Sequence, residues 1–176
     1  MLGILYAKTK NYNQAIILGE KGFKENSKLY AGLALVYFYS NKNKKEAIEL
    51  IDKALKEENS DRSNGIKMMI QVWNKEYNES IVVFKKLIEE SKEIDDEDIT
   101  EYLLFLISKK QYHITYKLFN DKKLNLKNRF KPIYYTLMYF MQDEYPTEYK
   151  RMGSELEETV HEMIAEVDRL EEKYDD

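Results

Sequence analysis

The chain has 176 residues, of which 43% are hydrophobic and 34% are charged, so it is too apolar for a disordered segment and too charged for a membrane protein. Its formal net charge of −4 argues against nucleic acid as a partner, and the absence of cysteine excludes disulfides and thiolate metal sites. The start, Met1 to Tyr6, is too short for the apolar core of a signal peptide, and no apolar run reaches the roughly 18 residues of a membrane-spanning helix. We therefore expect a cytoplasmic protein with no membrane partner.

Apolar residues at helical spacing alternate with polar turns through the first 121 residues, and no segment sustains the period of two that is typical of a strand. The clearest helix is Lys44 to Glu57, whose apolar positions form one stripe. Asp95 or Asp96 is a good N-cap for a later helix that ends at Ile107. The predicted helices cover residues 1–9, 12–24, 28–39, 44–57, 65–74, 77–91, about 95–107 and 111–120, and residues 59–64 form a polar turn.

The pattern changes after residue 121. Pro132 stands at the start of a nearly wholly apolar helix, Ile133 to Met141. Ser154 and Glu157 have the spacing of a capping box, which predicts a last helix that reaches about Lys173. The chain is thus predicted to be all-α and to form one continuous domain. In that domain residues 1–121 make about four helical hairpins, and residues 122–176 make an atypical last hairpin and a long C-terminal helix.

Related segments recur at a nearly constant spacing. They begin at Ala15, Ala47, Ser80 and Thr115, which are 32, 33 and 35 residues apart. This period, together with Leu2, Gly3 and Tyr6 ahead of Ala15, resembles the tetratricopeptide repeat (TPR) family, whose helix-turn-helix unit has roughly 34 residues. The resemblance covers about residues 1–120. The first unit departs from the pattern because Gly19 stands where an aromatic residue is expected, and no unit ends in proline.

The resemblance implies a right-handed α-solenoid of TPR-like hairpins, whose concave groove is lined by the first helix of each hairpin. The period places eight apolar residues near that groove: Leu35, Phe38, Tyr39, Met69, Val72, Trp73, Leu104 and Ile107. A groove of this composition would bind an apolar or amphipathic segment of a protein or peptide. The alternative is that some of these residues, Trp73 in particular, are core between helix layers.

The last helix carries apolar residues at alternating spacings of four and three: Leu156, Val160, Met163, Val167, Leu170 and Tyr174. We favour the interpretation that this seam caps the open end of the solenoid, because stacked repeats need a covered end. The alternative is a coiled-coil contact with a second chain, which would make a homo-oligomer.

No group of residues indicates catalysis, a metal or a cofactor, so we expect none of these. His161-Glu162 has half the spacing of a zinc-binding HExxH box, but the second histidine is replaced by Ala165. His113 is interpreted as a packing position. The basic cluster around Phe130 is interpreted as a solvated connection rather than a nucleic-acid site; it comprises Lys122, Lys123, Lys127, Arg129 and Lys131.

The closing part of the chain, from Arg129 onward, is similar to the ends of some bacterial TPR arrays, including the sensing ends of multidomain NTPase defence proteins. The first repeat lacks about six residues before Leu2. We therefore expect either a clipped first helix or the C-terminal part of a larger bacterial protein. The first function hypothesis is a non-catalytic protein–protein interaction module, a scaffold or sensor segment. The alternative is a peptide-sensing regulatory domain, and an enzyme without a recognised motif ranks last.

Overall fold

The computed structural model describes residues 2–26, 29–91 and 94–174, and within these ranges every regular element is a helix. In chain order the helices are α1 (Leu2–Lys8), α2 (Tyr12–Glu25), α3 (Tyr30–Ser40), α4 (Lys44–Glu57), α5 (Asp61–Trp73), α6 (Tyr77–Glu90), α7 (Asp96–Ser108), α8 (Tyr112–Phe119), α9 (Leu126–Arg129), α10 (Lys131–Phe140), α11 (Pro146–Tyr149) and α12 (Glu157–Tyr174). The prediction of an all-α chain is confirmed for these residues. Over the same ranges, no helix combines the length and apolar character needed to cross a membrane.

Local capping explains where two of the helices, α5 and α7, begin. Asp95 is the N-cap of α7, as predicted, and its side chain accepts a hydrogen bond from the Asp98 backbone N–H at 2.9 Å. The predicted polar turn over residues 59–64 is wrong, because α5 already begins at Asp61. The hydroxyl oxygen of Ser60 accepts a hydrogen bond from the Ser63 backbone N–H at 3.2 Å and caps the helix there.

By its packing the chain divides into two compact units, Met1–Ile94 and Asp95–Asp176. In the first unit α1 packs with α2, α3 with α4 and α5 with α6, so these pairs form three hairpins. Helix α3 also contacts α1 and α5, so successive hairpins stack on each other within this unit. The predicted division of the repeats at residue 121 stays a prediction.

One kind of turn follows the first helix of four successive pairs. Each turn contains a residue in the left-handed backbone conformation: Lys10, Asn41, Lys75 and Lys110. After α5, the Lys75 N–H donates to the Val72 carbonyl at 3.0 Å, and the next N–H, of Glu76, donates to the Gln71 carbonyl at 2.8 Å. The other three turns repeat this pair of hydrogen bonds, which is the Schellman arrangement that ends many helices.

The small residues that mark the predicted period occupy equivalent places in the structure. Ala15, Ala47, Ser80 and Thr115 each stand at the fourth position of the second helix of a pair, and each is fully buried. The hydroxyl groups of Ser80 and Thr115 donate to carbonyl oxygens of their own chain one turn earlier, those of Tyr77 and Gln111, at 2.8 Å. The spacing read from the sequence is therefore a structural spacing as well.

The second unit is built around α10, which contacts α7, α8 and α12. Pro132 lies in the first turn of this helix, as predicted. Aromatic rings join α10 to its neighbours: Tyr112 of α8 stacks on Phe140 with their centroids 5.7 Å apart, and Phe119 meets the edge of Tyr134 at 5.5 Å. Helix α10 is apolar on most of its sides, and its neighbours α7, α8 and α12 thus cover several of them.

The predicted capping box at Ser154 is wrong. Ser154–Leu156 form a 3-10 turn, and the α-helix itself begins at Glu157, so Ser154 does not occupy the N-cap position of α12. The short helices α9 and α11 were also not predicted, because four residues are too few to show a helical period.

Candidate functional site

The predicted groove residues lie on α3, α5 and α7, and most of them are interior. Six of the eight are buried: Phe38, Met69, Val72, Trp73, Leu104 and Ile107. Leu35 and Tyr39 are half-buried and keep some exposed surface. Leu104 and Ile107 belong to the second compact unit, whereas the other residues belong to the first. A partner-contacting role remains a prediction, and within the first unit it rests on Leu35 and Tyr39.

Trp73 owes its burial to a specific contact with the preceding hairpin. Its indole N–H donates to the side-chain oxygen of Asn41 at 2.9 Å, and its ring meets the edge of Phe38 with centroids 5.7 Å apart. The Lys44 ammonium lies 5.2 Å from the centre of the indole ring. Trp73 therefore joins the first helix of one hairpin to the turn of the previous one, which is the core role that the sequence left open.

The seam of the C-terminal helix is covered within its own unit. Val160, Val167, Leu170 and Tyr174 are buried, whereas Leu156 and Met163 are half-buried. Helix α12 packs against both α7 and α10, and the Tyr174 ring lies 5.0 Å from that of Phe105. The buried part of the seam thus packs against helices of its own unit, and its role as the cap of a solenoid stays a prediction.

The basic cluster does not present an aromatic surface. Phe130 is only 5% exposed, so its ring is not free to stack on a base. Arg129 pairs with Asp96, and the Lys127 ammonium lies 4.2 Å from the centre of the Tyr134 ring and 3.9 Å from the Glu148 carboxylate. These cations serve contacts within the second unit.

The two histidines are on the surface, so the interpretation of His113 as a packing position is wrong. His113 Nε2 lies 3.5 Å from a carboxylate oxygen of Glu144, a pair that becomes ionic only when the imidazole is protonated. His161 is exposed on α12. Across residues 2–26, 29–91 and 94–174, no three His, Cys, Asp or Glu side chains come together as a possible metal site.

A cavity that the sequence analysis missed opens between α2, α3 and α4 in the first unit. It has a volume of about 230 Å³. Its floor is formed by three buried side chains, Leu33, Tyr37 and Leu50, and the half-buried ring of Phe23 also lines it. We call this space the α2–α4 cavity.

Charged side chains also line the α2–α4 cavity. Three are acidic, Glu20, Glu46 and Glu49, and two are basic, Lys24 and Lys53. A signal for this arrangement exists in the sequence. The lining residues of α2 have the spacing i, i+3, i+4: Glu20, Phe23 and Lys24. Those of α4 have the spacing i, i+3, i+4, i+7: Glu46, Glu49, Leu50 and Lys53. Each group therefore lies on one face of its helix. The sequence does not show that these two faces meet.

Tyr37 connects the floor of the cavity to its charged wall. The phenol O–H donates to Oε1 of Glu20 at 3.1 Å. Burial of the phenol, reinforced by the negative charges of Glu20 and Glu46, raises the pKa of Tyr37 to about 12. The hydroxyl is thus held as a neutral donor beside the Glu20 carboxylate.

Comparison of the chain with protein-family models, with curated protein sequences and with solved structures finds no match.

Proposed function

We propose that this chain is a non-catalytic interaction module, a scaffold or sensor built of TPR-like helical hairpins that binds a protein or peptide. The observation that carries the proposal is the repeated hairpin geometry: four successive helix pairs have the same left-handed turn and a fully buried small residue at the same helix position. Repeated hairpins present equivalent side chains at regular intervals, and such surfaces suit extended protein ligands.

The roles of the buried polar groups support this proposal. The hydroxyls of Ser80, Ser108, Thr115 and Thr136 each donate to a carbonyl of their own helix or its cap, so these groups satisfy the backbone. The indole N–H of Trp73 likewise joins two hairpins. These buried hydroxyls and the indole N–H thus serve the fold, and the proposal looks to the surface for recognition.

Leu35 and Tyr39 are the positions at which to test this proposal. Both are half-buried residues of α3, one turn apart on the same helix face. Tagged wild-type protein would be used to capture partners from extracts of the source cells, followed by mass spectrometry. We expect the variant Leu35→Gln/Tyr39→Gln to lose the partner, and Val82→Gln, a change at a side chain that is 69% exposed on α6, to retain it.

Circular dichroism of each variant would separate lost recognition from lost folding. If the Leu35→Gln/Tyr39→Gln protein is folded and captures the same partners as wild type, this face is not the binding surface. If folded wild-type protein captures no partner above an empty-tag control, the interaction-module proposal itself fails.

The α2–α4 cavity favours a second form of the same function, a regulatory domain that senses a short peptide. A pocket with an apolar floor and a few charged groups can accept one side chain of a peptide and select it. Saturation of the wild-type protein with a short synthetic peptide at a single site would support this form, and purely non-saturating binding would contradict it.

A further inference from the structure

We infer that the α2–α4 cavity receives a lysine side chain of a partner peptide, whose methylene stem lies on the apolar floor and whose ammonium group meets the carboxylates of Glu20, Glu46 and Glu49. This inference rests on the proposed function and names the chemistry of one contact in it. The occupant is identified from the volume, lining and charge of the cavity.

The volume indicates a side chain rather than a larger ligand. Sites for drug-sized molecules have about 300–1,000 Å³, whereas this cavity has about 230 Å³. An extended butylammonium group fits such a space, and Leu33, Leu50 and the Phe23 ring provide apolar surface for its four methylene groups.

The charges indicate a cation. Three carboxylates oppose two ammonium groups in the lining, and neither Glu46 nor Glu49 forms an ion pair within the described part of the chain. Tyr37 donates to only one oxygen of Glu20, so the carboxylate keeps further capacity to accept hydrogen bonds. An additional cation in the cavity would therefore find the carboxylate oxygens of Glu46 and Glu49, which no ion pair of the described residues engages.

The arrangement favours lysine over arginine. Glu20 lies on α2, whereas Glu46 and Glu49 lie on α4, so the carboxylates reach the cavity from two sides. An ammonium group is a compact charge with three donors that can point to separate acceptors, whereas a guanidinium is a planar fork that suits one bidentate carboxylate. The native Lys24 and Lys53 line the same cavity and compete with the incoming cation.

Titrations of the full chain followed by two-dimensional ¹H–¹⁵N NMR at low ionic strength test the inference. The probe is acetyl-Gly-Lys-Gly-amide, and its neutral control carries norleucine in place of lysine. We expect saturable shifts for the lysine peptide that are confined to residues 20–24, 33–37 and 46–53. The norleucine peptide should bind at least about tenfold more weakly, because the charge-assisted hydrogen bonds are lost.

Two matched variants should change the dissociation constant of the lysine peptide in opposite directions. Glu49→Gln should weaken binding about 3- to 10-fold, because one carboxylate is neutralised at nearly constant shape. Lys53→Gln should tighten binding by about 2- to 5-fold, because a competing cation is removed. Glu57→Gln, an exposed change on the same helix but outside the cavity, should leave the constant unchanged.

Each contrary result overturns a stated part of the inference. Equal binding of the lysine and norleucine peptides, or equal constants for Glu49→Gln and wild type, removes the cation site. Tighter binding of an arginine peptide removes the choice of lysine. Tighter binding of free 1,5-diaminopentane than of the lysine peptide makes the cavity a site for small amines and removes the peptide as occupant.

The partner-capture experiment separates this inference from the proposed function. If Glu46→Gln/Glu49→Gln protein still captures the wild-type partner in full, the cavity does not serve that partner, while the interaction module stands. If wild-type protein captures no partner, the proposed function fails, and the peptide titration still decides whether the cavity accepts a lysine side chain.

Discussion

Asn41 meets two structural requirements with one side chain. Its backbone is left-handed, with φ 49° and ψ 45°, a conformation that asparagine tolerates better than most residues. Its side-chain oxygen also accepts the indole N–H of Trp73 from the next hairpin. The turn that ends α3 is therefore also the acceptor that allows a large aromatic residue to be buried.

Asn41→Gly should separate these two requirements. Glycine keeps the left-handed turn but leaves the buried indole N–H without its acceptor, so we expect a loss of about 1–3 kcal/mol in the free energy of unfolding. Asn41→Asp keeps an acceptor and should cost less. Trp73 is the single tryptophan of the chain, so urea unfolding followed by its fluorescence reports on this contact directly. A glycine variant as stable as wild type would show that the hydrogen bond contributes nothing.

Tyr37 should make the protein less stable at alkaline pH. Burial first, and the nearby Glu20 and Glu46 second, raise the pKa of Tyr37 from 10.0 to about 12 in the folded state. Between these two values the folded state holds a proton that the unfolded state has released, so the free energy of unfolding falls as pH rises. The contribution is complete below pH 10 and is lost by about pH 12.

The Tyr37→Phe variant measures this contribution. Lysines titrate in the same range, so the difference between wild type and variant, and not the wild-type curve alone, isolates the phenol. We expect the slope of unfolding free energy against pH between 10 and 12 to be smaller in the variant, by at most the about 1.4 kcal/mol per pH unit that one proton provides. Parallel curves would mean that Tyr37 has an ordinary pKa.

At the scale of the elements, three of the four repeated turns have lysine where glycine is usual. Lys75 has φ 65° in the middle of the turn between α5 and α6 and is exposed. A non-glycine residue in the left-handed conformation costs about 1–2 kcal/mol of stability. Glycine avoids this cost, but it loses more conformational freedom on folding, so a glycine substitution recovers only part of that free energy. The turn is thus formed at some cost that the packing of the hairpin overcomes.

Lys75→Gly should therefore stabilise the protein, by up to about 1 kcal/mol. The matched control is Lys86→Gly, at an exposed position inside α6, where glycine should destabilise by about 1 kcal/mol. Thermal unfolding followed by circular dichroism would show melting temperatures that move in opposite directions. A decrease for both variants would contradict the left-handed turn at Lys75.

Glycines set how closely α1 and α2 approach each other. A Cβ atom on Gly3 would lie 3.1 Å from the Ala15 carbonyl oxygen and 3.2 Å from the Gly19 nitrogen, both of which are backbone atoms that cannot move aside alone. A Cβ atom on Gly22 would have only an ordinary contact, at 3.8 Å from Leu29. A neighbouring helix thus approaches α2 closely at Gly19, where a Cβ atom would lie 3.1 Å from Leu33, but not at Gly22.

Gly3→Ala and Gly22→Ala should consequently have opposite effects. The first substitution pushes two helices apart, and we expect it to cost about 1–3 kcal/mol. The second adds a good helix former without a clash and should stabilise by up to about 1 kcal/mol. Chemical unfolding of both variants would measure these changes in the free energy of unfolding. A Gly3→Ala protein as stable as wild type would show that α1 and α2 are not in close contact.

At the scale of the whole molecule, the second compact unit depends on its last helix. Helix α12 packs against α7 and α10, two helices that come earlier in the chain, and its side chains Val160, Val167 and Leu170 are buried. Each such side chain contributes on the order of 1.5–3 kcal/mol when it is fully buried. Because α10 is apolar on most of its sides, the loss of α12 would leave a large apolar surface exposed.

Val167→Asp tests whether α12 serves its own unit or a second chain. An unpaired carboxylate in the interior should destabilise this unit by several kcal/mol and promote aggregation. Asp168→Asn, an exposed change at the adjacent position, is the control and should have little effect. Light scattering and circular dichroism would be recorded together. A folded Val167→Asp monomer, formed from a wild-type dimer, would instead assign the seam to a partner chain.

The features that the sequence determined by itself depend on neighbours along the chain. The helical class, the bounds of α4, the cap at Asp95 and the place of Pro132 follow from periodicity and from hydrogen bonds that span a few residues. The small residues at the repeat positions could be found as well, because their spacing reflects helix length, which is a local property.

Tertiary structure decided what depends on residues far apart in sequence. An apolar stripe shows that one face of a helix is covered but not what covers it. The pattern therefore predicts a groove position for Phe38 and leaves Trp73 between groove and core, whereas contacts between hairpins bury both. The α2–α4 cavity is likewise made by three helices, and its charges become a site only where the faces of α2 and α4 meet over Tyr37. Packing across the chain, which no local pattern encodes, determines both.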